Sequence, residues 1–247
     1  KYRKAEGLFR FYGIKLFEEA AKNGAPIKYV FVSESASERF NSIADEINSD
    51  ISFYILSDEV FCKLTDEKSP EGIITVCENL ETISKVDDLK QLASDLKESF
   101  VLMLECVRDV GNMGTILRSA KAFGVDALVI SSDCAELYNP KTIRAAMGAL
   151  FTQKVVVVDN IAATVSAFRQ GGTRVFAAAL QRDAKKLGSF ALDRGDIILV
   201  GNEGHGLSSE AIDACNECVY IPMEMGSESL NASIAASVCM WELYKTK

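Results

Sequence analysis

The sequence predicts an α/β protein in two parts, a small α/β unit over residues 1–80 and a larger α/β domain over residues 99–247, joined by a connector at 81–98. Three observations predict it. From Phe100 onward, short apolar runs alternate with helix-like segments, the order that builds a mostly parallel sheet covered on both faces. The first 80 residues hold three more strand-like runs with helices between them. The intervening ETISKVDDLKQLASDLKES is charged and poor in aromatics, so it reads as a solvent-facing connector with some helix.

In order, the N-terminal unit reads as a helix over Phe11 to Asn23, a strand YVFV from Tyr29, a helix over Ser37 to Asn48, and strands ISFYIL and GIITV. The larger domain opens with the strand VLMLECV and a helix from Gly114 to Phe123. DALVIS, a helix from Pro140 to Gly148, KVVVV and a helix from Ile161 to Arg169 follow. RVFAAAL, DIILVG, a short helix from Ser208 to Cys215, CVYIPM and a last helix from Ala232 to Tyr244 complete it. Connection rules alone lead to an unknotted sheet, because chains very rarely thread their own loops.

Composition narrows the function. The 247 residues are 48% apolar, ample for a sizeable core, and the net charge of -8 excludes a general nucleic-acid binder that works by bulk charge. The seven cysteines are scattered rather than dense, which points to reduced thiols and a cytoplasmic setting. Cys215 and Cys218 form a lone CxxC that the single histidine, His205, cannot complete into a zinc tetrad, so no metal is expected. No run of 18 apolar residues predicts a membrane span, and no signal peptide is evident. The chain begins at Lys1 rather than Met, so part of the natural N-terminus is expected to precede it. The opening stretch interleaves Arg3, Lys4 and Arg10 with aromatics including Tyr12, a mixture able to grip phosphates and stack bases; its competitor is a solvated face with the aromatics in the core.

The chemistry concentrates in three Gly/Asn/Ser-rich segments that each follow an apolar run, where an open α/β sheet builds its ligand site. In GNMGTILR, Gly111 and Gly114 allow a tight turn, the following helix offers its N-terminal amides to an anion, and Arg118 stands about one turn in. That suits a phosphate; a βα turn with Arg118 in a surface ion pair fits equally. In GNEGHG, from Gly201 to Gly206, three glycines let a ligand lie against bare backbone, Asn202 is polar and Glu203 supplies an acceptor, while His205 reads as an incidental loop residue. In IPMEMGSESLN, Gly226 permits a turn, and Ser229 or Asn231 caps the small-residue helix that follows, a helix suited to internal packing or to a subunit interface. A dinucleotide site is the competing enzyme class, with Asp133 nineteen residues after Gly114 as its ribose acid, but neither loop spells GxGxxG.

Together these segments resemble the ordered motifs of the SpoU/TrmH family of RNA 2'-O-ribose methyltransferases, within the SPOUT class. Asn112, Gly114 and Arg118 match the first motif, Gly201, Asn202, Glu203 and Gly204 the second, and Ile221, Pro222, Met223, Ser229, Leu230 and Asn231 the third. NPKTIRAAMGALF looks like the stretch between them, and the N-terminal unit is similar to the L30e-like substrate-binding domain of many members. The resemblance implies a deep trefoil knot, S-adenosylmethionine as cofactor and methyl transfer to RNA, with rRNA ranked ahead of tRNA and a noncatalytic RNA-binding knot protein as the alternative. It also implies a homodimer through the C-terminal domain. Gly201, Asn202, Ile221, Met223 and Leu230 would hold the cofactor. Arg118 would bind the phosphate beside the target ribose, with Asn112, Glu203, Ser229 and Asn231 orienting the reactants. A guanidinium stays protonated in proteins, which favours alkoxide stabilisation or phosphate-assisted proton removal over general base catalysis.

Overall fold

The computed structural model describes residues 6–44, 51–202, 204–224 and 229–246, with the side chains of 41–44 excepted. Its N-terminal unit runs β1 (Leu8–Tyr12), α1 (Ile14–Lys22), β2 (Ile27–Ser33), α2 (Ser37–Ala44), β3 (Ser52–Leu56), α3 (Asp58–Leu64) and β4 (Ile73–Glu78). These strands form a sheet in the order β1-β4-β2-β3, parallel only between β2 and β3. Phe11 and Tyr12, expected in a helix, stand in β1, and the helix begins only after Gly13, whose φ of 99° breaks the strand. The alternation in LFRFY buries Phe9 and Phe11 together, so these two rings of the basic opening stretch are core.

The second part runs β5 (Ile83–Lys85), α4 (Leu89–Asp95), β6 (Val101–Leu104), α5 (Val110–Phe123), β7 (Ala127–Ser131), α6 (Pro140–Ala146), β8 (Val155–Val158) and α7 (Ile161–Gln170). It continues with β9 (Val175–Ala178), β10 (Lys185–Lys186), β11 (Ile197–Val200), α8 (Ser209–Ala214), β12 (Glu217–Tyr220) and α9 (Ala232–Tyr244). Eight parallel strands lie in the order β10-β12-β9-β11-β6-β7-β8-β5. Alternate residues of β6 face opposite layers: Leu102 and Leu104 meet α5 and α9 through Ile116, Leu117 and Met240, while Val101 and Met103 meet α4 and α7 through Leu96, Val165 and Phe168. The expected parallel sheet with two covered faces is therefore present. No helix among the described residues is long and apolar enough to cross a membrane.

Residues 81–98 are not the solvent-facing connector that their charge suggests. Ile83–Lys85 pairs with β8 as an edge strand, and α4, capped by the Asp88 carboxylate accepting from Gln91 N at 3.0 Å, buries Leu92, Ala93 and Leu96. Nor is the N-terminal unit loosely tethered. Phe9 stacks on Tyr138 at 4.3 Å between ring centroids, Phe11 meets Phe151 at 5.3 Å, and the Tyr138 hydroxyl accepts from Leu80 N at 2.8 Å. An Arg144–Glu67 ion pair crosses the same junction.

Burial pushes the thiols of Cys77, Cys215 and Cys239 up from the ordinary 9.0 to about 12, and burial with a hydrogen bond to Asp133 pushes Cys106 to about 11. Unfolding releases these protons earlier in pH, so the thiols' contribution to stability is complete below about 9 and declines as pH rises toward 12. In native protein at pH 8, a thiol reagent should therefore modify the exposed Cys62 first, with the buried thiols following only on unfolding. Prompt reaction of Cys239 would contradict that burial.

Candidate active site

Because the sheet is parallel, the segments after β6, β9, β11 and β12 all emerge at one end, beside the point where the strand order reverses between β6 and β11. A cavity of about 530 Å³ opens there, within the size range of small-molecule sites. Its walls include Gly201, Asn202, Ile221, Met223 and Leu230, all five residues expected to hold a cofactor, together with Ser229. Ala178, Ala179, Leu180 and Gln181, after β9, form another wall. The sequence gives no motif for that wall, since small residues after a strand contribute backbone and space rather than recognisable chemistry.

The second loop is held from several sides. Asn202 Nδ2 donates to Cys106 O at 2.8 Å, and its Oδ1 accepts from Gly204 N at 2.8 Å and His205 N at 3.1 Å. Asn202 and Gly206 form an antiparallel bridge. The side chain of Asn202 thus pins the loop, leaving its backbone to line the cavity. Glu105 completes the grip, accepting from Ser208 N and Ser208 Oγ at 2.8 and 2.7 Å. A Cβ on Gly201 would lie 2.5 Å from Gly206 C and 2.7 Å from Leu207 N, so only glycine permits this close approach of two backbones. Glu203, expected to orient the reactants, and Gly226, the expected turn, lie outside the described residues.

The first motif departs from the expected turn. Helix α5 starts at Val110, capped by the Asp109 carboxylate accepting from Asn112 N at 2.7 Å, so Gly111 and Gly114 lie inside the helix. Gly114 is a packing glycine: a Cβ there would sit 2.5 Å from both Ala145 Cβ and Thr142 O of α6. Arg118 therefore lies about 12 Å along the helix from Val110, two turns in rather than one, and does not sit over the first amides. It is exposed, does not line the cavity, and among the described residues makes no hydrogen bond or ion pair.

First and third motifs meet directly. Asn231 Oδ1 caps α9, accepting from Ser233 N at 2.9 Å and Ile234 N at 3.4 Å, while its Nδ2 donates to Asn112 Oδ1 at 2.9 Å. Below them Ser237 Oγ donates to Ser119 Oγ at 3.0 Å. Ala232, Ser233 and Ala236 are buried, so the small residues of α9 serve internal packing.

Asp133 lines a separate cavity of about 510 Å³ beyond the second loop, whose wall also holds Glu105 and Asp159. Hydrogen bonds from Cys106 and Ser131, then the Arg108 guanidinium, hold the Asp133 carboxyl below its ordinary range. Four carboxylates in that wall, Glu105, Asp133, Asp159 and Glu210, repel a pyrophosphate, which weighs against the dinucleotide reading. In the N-terminal unit, Arg10 pairs with Asp66 at 2.7 Å and donates to Leu64 O, and Tyr12 is buried with its hydroxyl directed at Asp66. The ring of Tyr12 therefore offers no face to a base. Arg3 and Lys4 lie outside the described residues.

Comparison with known proteins agrees with this architecture. The SpoU rRNA Methylase family matches residues 99–241, and the MRM3-like substrate binding domain matches residues 1–75. The chain is 32% identical over 248 residues to the 23S rRNA (guanosine(2553)-2'-O)-methyltransferase RlmP of Bacillus subtilis, covering 98% of this chain and 91% of that protein. It is 29% identical to the 23S rRNA (guanosine-2'-O-)-methyltransferase RlmB of Coxiella burnetii, covering 91% of each. In fold it matches the SpoU methyltransferase AviRb from Streptomyces viridochromogenes, solved with AdoMet, at a TM-score of 0.81 and 24% identity, covering 98% of this chain and 91% of that one. With matched motifs gathered at one end of one sheet and similarity along nearly its whole length, the chain belongs to the SpoU rRNA methylase family.

Proposed function

We propose that this protein transfers the methyl group of S-adenosylmethionine to a ribose 2'-hydroxyl of 23S rRNA. The observation that carries this reading is the convergence of three motifs: the second and third enclose the 530 Å³ cavity, and the Asn231–Asn112 hydrogen bond ties the first to it. The cavity fits the cofactor chemically. Ala178, Ala179, Val200 and Ile221 provide an apolar slot, and Gly201 brings bare backbone within reach of polar ligand atoms. S-adenosylmethionine supplies an activated methyl on a sulfonium, so the protein's task is chiefly positioning. Gly201, Asn202, Ile221, Met223 and Leu230 hold it, Asn112 and Asn231 fix the junction of the two helices, and Ser229 and Glu203 orient the ribose. Arg118, a cation with no partner among the described residues, takes the phosphate beside the target ribose and stabilises the developing alkoxide.

The same reading includes a trefoil knot and a dimer. The knot is supported by the strand order, in which β12 returns beside β9, and by the packing of α9 back over α5. The dimer is supported by exposed apolar residues on α9: Ile234, Trp241 and Tyr244 face outward, and Phe123 joins the two aromatics at about 6 Å. A second copy seated there covers that patch and completes the site around Arg118. Light scattering at micromolar concentration should give twice the chain mass, and Trp241→Glu should shift it toward the monomer; a monomeric wild type would contradict the dimer. The protein acts in the cytoplasm, on ribosomal RNA.

Calorimetry with S-adenosylmethionine and with NAD tests the cofactor, binding being expected for the first alone. Mapping ribose methylation in total RNA from cells with and without the protein tests the substrate. An unchanged map would refute the reading.

A further inference from the structure

The N-terminal unit matches a substrate-binding domain, yet Arg10 pairs with Asp66 and Tyr12 is buried, so among the described residues the opening stretch offers no ring for a base to stack on. Exposed rings stand instead on the outer half of the sheet. In β2 and β3, Phe31 pairs with Tyr54 and Tyr29 with Ser52, which places Tyr29, Phe31 and Tyr54 on one face; Val30 and Phe53 point to the other, toward Phe17 and Phe40. The three rings touch one another: Phe31 and Tyr54 stack at 5.5 Å and 26°, and Tyr29 lies 6.4 Å from Phe31 and 6.3 Å from Tyr54. Tyr29 and Tyr54 are 42% and 46% exposed, whereas Phe31 packs against the buried Tyr12, Phe61 and Ile74 and anchors the group from below.

We propose that Tyr29, Phe31 and Tyr54 are a base-stacking platform for unpaired nucleotides of the RNA substrate, an inference that rests on the RNA-methyltransferase reading. Two adjacent strands offering rings from one face of a four-stranded sheet is an arrangement that presents π-faces to two or three successive bases. Phenol hydroxyls at the ring edges tolerate water before RNA arrives. Among the described residues of these elements, Lys28 pairs with Glu78 and Lys63 with Glu59, which leaves these two cations little charge to offer a phosphate. Binding here is therefore stacking-driven and only weakly salt-dependent, in contrast to Arg118, whose contact is electrostatic.

The test uses the full chain with two probes, a 23S rRNA transcript and a 12-nucleotide single-stranded RNA carrying 2-aminopurine. Tyr29→Ala/Tyr54→Ala should weaken binding of both by roughly 10- to 100-fold, abolish quenching of the 2-aminopurine, and raise KM for the transcript while leaving kcat at saturating RNA unchanged. The dependence of log affinity on log salt should keep its slope, and Tyr54→Phe should bind like wild type. Unchanged S-adenosylmethionine affinity and circular dichroism control for folding, with Tyr54→Ala alone as the milder variant if the pair fails to fold. RNA affinity unchanged in a folded variant overturns the platform, as does a loss of affinity that comes with a reduced salt slope. A change in oligomeric mass with RNA binding intact would assign the face to a protein partner and also overturn it. None of these results touches the methyltransferase reading, which fails separately if the wild type transfers no methyl group.

Discussion

Arg118→Ala lowers methyl transfer by roughly 100- to 1000-fold, equivalent to about 2.7 to 4 kcal/mol of transition-state stabilisation, while S-adenosylmethionine binds with near wild-type affinity. The two effects separate because Arg118 stands outside the cavity and takes no part in the hydrogen bonds that hold its walls. Its side chain is exposed and caps nothing among the described residues, so removing it should leave thermal stability nearly unchanged. Arg118→Lys tests geometry: it retains charge but loses the planar fork that meets a phosphate bidentately, and should recover only part of the rate. Single-turnover kinetics with saturating cofactor and RNA measure all three. A wild-type rate in Arg118→Ala would remove the residue from the reaction.

Gly201→Ala abolishes cofactor binding by a different route. The added methyl group would lie 2.5 and 2.6 Å from the carbonyl carbon and oxygen of Gly206 and 2.7 Å from Leu207 N, all backbone atoms with no rotamer to escape into. The Asn202–Gly206 bridge must open, and Asn202 loses its place against Cys106 O. With the backbone that lines the cavity displaced, S-adenosylmethionine affinity should fall sharply. Calorimetry reads the affinity, and a thermal melt shows whether the domain remains folded. Wild-type affinity in the variant would mean that the loop does not form the cofactor wall.

Much of the larger domain was legible in sequence because its strands are buried apolar runs with clear ends. The last helix was found from Ala232 to Tyr244, where Asn231 caps it. The errors have local causes. LFRFY carries the two-residue period of a strand, but it runs without a sequence gap into the helical pattern beginning at Ile14, and only the backbone of Gly13 separates the two. Residues 81–98 read as a solvent-facing connector with some helix; the helix is present, but Leu89, Leu92, Ala93 and Leu96 follow the i, i+3, i+4, i+7 pattern of one packed on the sheet, a pattern obscured by the charges between them. The short helix α3 buries only Phe61 and left too weak a pattern to find.

The glycines of the second loop line the cavity, since close backbone approach is a property that residue type encodes. The GNMG segment shows the limit of that inference: the same residue type serves a turn or a helix–helix contact, and only α6 beside Gly114 decides between them. Glu105 and the segment Ala178–Gln181 were not legible, because each acts through a partner distant in sequence, Ser208 for the first and the third motif for the second. Tyr12 was misplaced for the converse reason. Its exposure depends on Phe61 and Asp66, which fold against it from the far side of the unit.

The most direct test of the central claim is transfer of labelled methyl from S-adenosylmethionine to a 23S rRNA transcript by purified protein, followed by alkaline hydrolysis of the product. A methyl group on the 2'-oxygen removes the nucleophile that alkali needs to cleave the adjacent phosphodiester. The account predicts that the label is recovered in an alkali-resistant dinucleotide and that Arg118→Ala yields almost none. Label recovered in single nucleotides, which marks methylation of a base, or no incorporation into RNA at all, would contradict it.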